Sequence, residues 1–178
     1  LVYNDEQQCL MLYASAIVPS GGGDWYQPSV MCFTISGSTP SMGTPVQIAT
    51  SGQTGEYGYL IYHAESKKTL AFYEFYDGSS YLIHYQVVGI SGTTVTAGTS
   101  TYVGFAGRIS NAIVEYTNIG LYDTFTKKIG IAYTLNDATS NWENALKIRS
   151  AKLTNNTLTF DAEITPQDAQ SAVYNVSM

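Results

Sequence analysis

Apolar residues in this chain come in short runs broken by polar clusters, and none has the reach or the period of an amphipathic helix. Several runs close on a tyrosine. Tyr3, Tyr62, Tyr122 and Tyr174 each follow two residues of such a run, as in Leu1-Val2 and Leu60-Ile61, at spacings of 59, 60 and 52. Ten or eleven residues after the first three stand Tyr13, Tyr73 and Tyr133, spaced 60 and 60 and closing Leu10-Met11-Leu12, Leu70-Ala71-Phe72 and Gly130-Ile131-Ala132. Between the two tyrosines lie the polar stretches 4–8, 63–68 and 123–128. An apolar run, a polar turn and a second apolar run make a hairpin, here of strands A and B.

A second hairpin follows in each repeat. Strand C is expected at 30–35, 85–90 and about 146–153, each ending at a residue that tolerates positive φ: Gly37, Gly92 or Asn155. Six residues farther on stand Gly43, Gly98 and Asp161, with strand D running between and past those points. Four antiparallel strands at a period of about 50 to 60 residues is the arithmetic of propeller blades. The expectation is an all-β, β-propeller-like array of about three four-stranded antiparallel blades. The units cover about 1–50, 57–104 and 112–165, and 171–178 supply the first strand of a further unit. A β-sandwich or a stacked fibre domain built from similar meanders is the alternative. Rings use about four to eight blades, so three imply a segment of a longer chain, closure shared between two chains, or an open array with apolar faces exposed.

Composition agrees with strands and narrows the partners. The chain has 178 residues with 15 Tyr and 16 Gly, and only 12% are charged; β-branched and aromatic side chains suit a pleated surface and Gly and Ser supply turns. The net charge is −6 and the eight Lys and Arg are dispersed, which argues against nucleic acid as a partner. Apolar runs of about five residues are far too short for membrane insertion. No metal site or cofactor motif is read from the two cysteines or from the spacing of other ligands.

The stretch "LIYHAESKKTLAFYEF", followed by "YQVVGISGTTVTAGT", resembles the tandem repeat of tail-fibre and surface proteins of marine phages and algal viruses. The second unit matches best, and the third has Thr154-Asn155-Asn156 in place of Ser-Gly-Thr. The resemblance covers nearly the whole chain as a pattern of turns and strand periods. It implies a viral appendage protein, on the virion surface or extracellular, with neighbouring fibre subunits as partners and possible homo-oligomers. It brings no catalytic residue.

In a propeller the A–B and C–D turns share one face, and the B–C and D–A connections share the other. The A–B and C–D turns here are short, polar and alike. The B–C connections (17–27, 76–81, 135–144) and the D–A connections (49–57, 104–112, 165–170) are longer and unlike one another. They carry the candidate ligand-binding residues Asp24, Trp25, Tyr26, Glu56, Tyr57, Tyr81, Arg108, Asn141, Trp142 and Glu143, with Trp25, Tyr81 and Trp142 at comparable places. Aromatic rings beside carboxylates and amides suit sugars, whose C–H faces stack while their hydroxyls form hydrogen bonds. The same aromatics also serve to cap the core of each blade.

Catalysis finds little support. His63 falls in an A–B turn and His84 within strand C, and no nucleophile elbow, zinc helix or phosphate loop is present. Asp24, Glu56, Asp77, Asp137 and Glu143 are acids in number only, with nothing to pair two at a glycosidase separation. Cys9 and Cys32 fall close to opposite each other on strands B and C, compatible with a disulfide or with two buried thiols. The expected function is a non-enzymatic binding module presenting aromatic loops to a cell-surface glycan or a partner protein. A propeller glycoside hydrolase or lyase and a purely architectural fibre segment are the rivals.

Overall fold

Leu70, Ala71, Phe72 and Tyr73 are consecutive and all fully buried. A strand alternates its side chains between two faces, so such a run needs cover on both sides. The computed structural model supplies that cover. It describes residues 2–4, 9–20, 23–49, 53–77, 79–106, 120–134 and 146–164, and all of its regular structure is β. The first unit holds β1 (Val2–Asn4), β2 (Cys9–Ser20), β3 (Gly23–Ser36), β4 (Thr39–Met42) and β5 (Val46–Gln47). The second holds β6 (Gln53–His63), β7 (Lys68–Tyr76), β8 (Tyr81–Ser91), β9 (Thr94–Ala97) and β10 (Thr101–Ala106). The third holds β11 (Gly120–Asp123), β12 (Lys128–Thr134), β13 (Leu146–Thr154) and β14 (Thr157–Phe160).

Every ladder is antiparallel, and the three units share one register. The A–B turns open at Asn4↔Cys9, His63↔Lys68 and Asp123↔Lys128. B pairs with C from Leu10↔Phe33, Thr69↔Val88 and Ile129↔Ala151. The C–D turns close at Ser36↔Thr39, Ser91↔Thr94 and Thr154↔Thr157. Positive φ falls at Gly37 and Gly92 (62° and 60°) and at Asn155 and Asn156 (49° and 70°), a region that Gly and Asn enter at least cost. Beyond strand D, the N–H groups of Gly43, Gly98 and Asp161 each donate to strand C, to the carbonyls of Cys32, Val87 and Ser150 at 2.9, 3.0 and 2.8 Å. The edge strand then resumes at Val46↔Val30, Thr101↔Tyr85 and Ile164↔Ile148.

The first ten strands form one hydrogen-bonded sheet and the last four a second, and neither closes on itself among the described residues. Between the first two units, strand pairing among the described residues is a single step, Tyr26↔Thr54, so the units are held mainly by their faces. Val30, Cys32, Ile48 and Ala49 of the first unit meet Leu60, Ala71, Tyr73, Val88 and Val95 of the second. The opposite face of the second unit, with Ile61, Leu70, Phe72, Ile83, Tyr85 and Val103, meets Ile129, Ile131, Tyr133, Ala151, Leu153 and Leu158 of the third. Polar contacts cross the same boundaries: the Asn4 amide donates to Thr69 Oγ1 at 3.4 Å, and the His63 ring lies 4.5 Å from that of Tyr122. Leu158 N–H donates to Tyr85 Oη at 3.0 Å.

Register corrects three expectations. The counterpart of Tyr73 in the first unit is Ala14, and Tyr13 takes the place of Phe72, because the first two A–B hairpins are offset by 59 residues rather than 60. Met11, not Cys9, stands opposite Cys32, and the Cys32 thiol is buried with its Sγ 3.7 Å from the Gly92 carbonyl of the next unit. Most of 17–27 and 53–57 is strand rather than connection.

Candidate functional site

Nothing local stops a strand while its partner still offers donors and acceptors, and β2 and β3 keep pairing past the point where the second unit turns. Ile17↔Tyr26 is the counterpart of Tyr76↔Tyr81, the last pair between β7 and β8. The first hairpin continues for three more pairs, Val18↔Trp25, Pro19↔Asp24 and Ser20↔Gly23. Asp24 and Trp25 therefore sit on a ribbon that overhangs the rest of the sheet. By register Tyr26, not Trp25, is the equivalent of Tyr81.

The β6 strand reaches the same end. Thr54 pairs with Phe75 and Gly58 with Tyr73, so Gly55, Glu56 and Tyr57 stand opposite the single residue Glu74. An insertion of this kind bends the strand and re-aims its side chains. Glu74 itself is fully buried. Asp24, Trp25, Tyr26, Glu56, Tyr57 and Tyr81 thus gather at one end of the large sheet. Arg108, Asn141, Trp142 and Glu143 lie outside the described residues, as do the connection 135–144 and the strand expected at 171–178.

In the second unit this end is well defined. The Tyr76 and Tyr81 rings lie 4.9 Å apart. The intervening turn is tied by Asp77, whose Oδ1 accepts from Ser79 N–H and Ser80 N–H at 2.8 Å each and from the Ser79 hydroxyl at 2.9 Å. The Ser80 and Ser79 donors hold the Asp77 carboxyl below the usual carboxylate range. This acid serves its turn.

The two histidines serve different ends. His63 is buried and its Nδ1 receives Ser66 N–H at 3.2 Å. Asp123 does the same work in the third unit, accepting from Phe125 N–H at 2.9 Å and Thr126 N–H at 3.2 Å. His84 lies 2.9 Å through Nδ1 from Ser100 Oγ, which in turn lies 2.6 Å from Tyr73 Oη. Phe75, Tyr102 and Tyr73 surround its ring at 5.0, 5.7 and 6.0 Å. Burial pushes its pKa down.

A serine hydroxyl on an imidazole invites a catalytic reading. The third unit places Tyr133, Lys147, Arg149 and Glu163 where the second has Tyr73, His84, Gln86 and Ser100. There Glu163 accepts from Tyr133 Oη at 2.6 Å and forms ion pairs with Lys147 at 2.9 Å and Arg149 at 3.6 Å. Both clusters bind the segment beyond strand D to the buried tyrosine of strand B. The neutral and charged versions do the same structural work. The sequence carried a sign of this, since Tyr73 and Tyr133 lie 60 apart and the other three pairs each 63 apart.

Among the described residues no group of three His, Cys, Asp or Glu side chains is placed to hold a metal ion, and no helix is long and apolar enough to cross a membrane. No protein-family model, curated protein or solved structure matches the chain.

Proposed function

We propose that this protein is a non-enzymatic binding module of a virion surface or tail-fibre-like appendage, with its units stacked as successive blades of a propeller-like array. The aromatic end of the large sheet is what it presents, to a cell-surface glycan or a partner protein. One observation carries this reading: the first hairpin overhangs its counterpart by three residue pairs and bears Asp24 and Trp25 on that overhang. A rigid scaffold with one elongated, aromatic-bearing ribbon is a common way to offer a binding surface.

The stacking supports the blade reading. The same face of each unit packs against the opposite face of the next, twice over and at equivalent positions, whereas a sandwich needs no such repetition. The lack of a catalytic role for Ser100 and His84 rests on their replacement by Glu163 and Lys147 in an equivalent cluster.

The test is binding of the purified chain to glycan arrays and to host-cell surfaces. Trp25→Ala is expected to lower binding by roughly tenfold or more, the scale of an aromatic hot spot, without changing the melting transition. Unchanged binding would remove the overhang as the site.

The glycoside hydrolase or lyase reading has one observation in its favour, the placement of Glu56 in the bulge opposite Glu74. The burial of Glu74 weighs against it, since an acid acting on polysaccharide must reach its substrate. Hydrolysis of a polysaccharide panel that is abolished by Glu56→Gln would establish that reading.

A further inference from the structure

The three units carry the same four apolar positions across the strand C–strand D hairpin. They are Phe33, Ile35, Pro40 and Met42 in the first unit, and Val88, Ile90, Val95 and Ala97 in the second. In the third they are Ala151, Leu153, Leu158 and Phe160. In the second unit this face packs on the first, and Val88 and Val95 are buried with Ile90 and Ala97 against them. In the third it packs on the second, burying Ala151, Leu153 and Leu158, with Phe160 alongside. In the first unit Ile35 is 57% and Met42 64% exposed. Tyr3 is 51% exposed, although its counterpart Tyr122 rests on His63 of the preceding unit. This face is built like the two that are covered.

The matching half of the interface stands at the other end of the molecule. Between the first and second units, Val30 and its cross-strand partner Val46 belong to the covering face. In the third unit those places are held by Ile148 and Ile164, joined by hydrogen bonds of 2.9 Å in both directions. Ile164 is 61% exposed. Of the six large exposed hydrophobic residues among those described, four (Tyr3, Ile35, Met42 and Ile164) therefore lie on these two terminal faces.

We infer that a second copy of this chain docks on the first unit, laying the Ile148–Ile164 face of its third unit over Tyr3, Phe33, Ile35, Pro40 and Met42. The contact continues an interface that the molecule already forms twice, with the same faces in the same order. It is heterologous, joining the third unit of one copy to the first unit of the next, so assembly gives a ring where the rotation closes and a filament where it does not. It rests on the stacking alone and is independent of what the aromatic end binds.

Light scattering of the purified chain over a range of concentrations tests this. The wild type is expected at multiples of the chain mass. Ile35→Lys with Met42→Lys spoils one half of the contact and Ile164→Lys spoils the other, and each variant is expected to remain a monomer. Mixed in equal amounts, the two variants are expected to form a two-chain species, because each keeps the half that the other has lost. These side chains are exposed, so the strand signal in circular dichroism should be unchanged. The milder Ile35→Thr with Met42→Gln, expected to raise the assembly midpoint by roughly tenfold, serves if the lysine pair fails to fold. A folded wild type that is monomeric throughout, a variant that assembles like the wild type, or two variants that do not combine would each overturn the inference.

Discussion

The imidazole of His63 and the phenol ring of Tyr122 face each other across the boundary between the second and third units, with centroids 4.5 Å apart and ring planes 53° from parallel. The histidine is buried, and its Nδ1 receives the backbone N–H of Ser66. A donor aimed at Nδ1 requires that nitrogen to keep its lone pair, so the neutral ring fits this site and the imidazolium does not.

Stability is therefore expected to fall in mild acid. Burial lowers the His63 pKa from 6.5, while the Glu65 carboxylate and the Lys127 carbonyl pull it the other way. The unfolded chain takes up a proton near pH 6.5, and the folded chain does so only at a lower pH. The contribution is thus full above 6.5 and is lost as pH falls from there through the folded value. Urea midpoints between about pH 5 and 7 should decline in the wild type, and His63→Asn, which copies Asn4 of the first unit, should flatten that decline.

Glu163 is expected to matter in stronger acid. The Tyr133 hydroxyl foremost, and then Lys147 and Arg149, hold its carboxyl below the usual range. Its contribution is present above the unfolded carboxylate value of 4.5 and disappears as pH falls from there through the lower folded one. Glu163→Gln should cost about 1–2 kcal/mol at neutral pH, chiefly by weakening the bond to the buried Tyr133 hydroxyl. The gap from wild type should narrow below about pH 4. Denaturant unfolding at the two pH values reads both effects.

Gly43 is expected to tolerate no side chain. A Cβ there would lie 1.9 Å from the Thr93 carbonyl oxygen, a backbone atom of the next unit. Gly43→Ala must push the two units apart and should cost about 1–3 kcal/mol, the range for overpacking. Gly89→Ala is the control, since its nearest neighbour stands at 3.8 Å, and it should leave the melting temperature close to that of the wild type.

Tyr85→Phe isolates one hydrogen bond between units. It removes the acceptor of Leu158 N–H and leaves that buried donor unmatched, at a cost of about 1–3 kcal/mol. Hydrogen exchange at the Leu158 amide should accelerate more than at Thr157 or Thr159, which a general loosening would not produce.

The tyrosine spacing that marks Tyr3, Tyr62 and Tyr122 located all three A–B hairpins, because a fixed turn length ties sequence distance to strand position. The glycines and asparagines of the C–D turns were equally legible, since few residues accept positive φ. Tyr13 misled for the opposite reason. Its spacing of 60 from Tyr73 matched the repeat while the ladder ran at 59, and one residue of slip exchanges the two faces of a strand. The overhanging hairpin escaped notice because "PSGGGD" reads as a loop, yet pairing continues up to Ser20↔Gly23.

The sequence by itself determined the strands, the turns and the repeat, all of which follow from side-chain alternation and local backbone preference. It also supplied the aromatic residues Trp25, Tyr26 and Tyr81 as candidates. Only the tertiary structure decided which faces meet, for a strand such as β7 is apolar on both sides and names no partner for either. Stacking resolved that choice by burying one face of the second unit on the first and its other face on the third. By the same rule it left Ile35 and Met42 at one end, and Ile164 at the other, as the exposed halves of a contact the fold makes twice within itself.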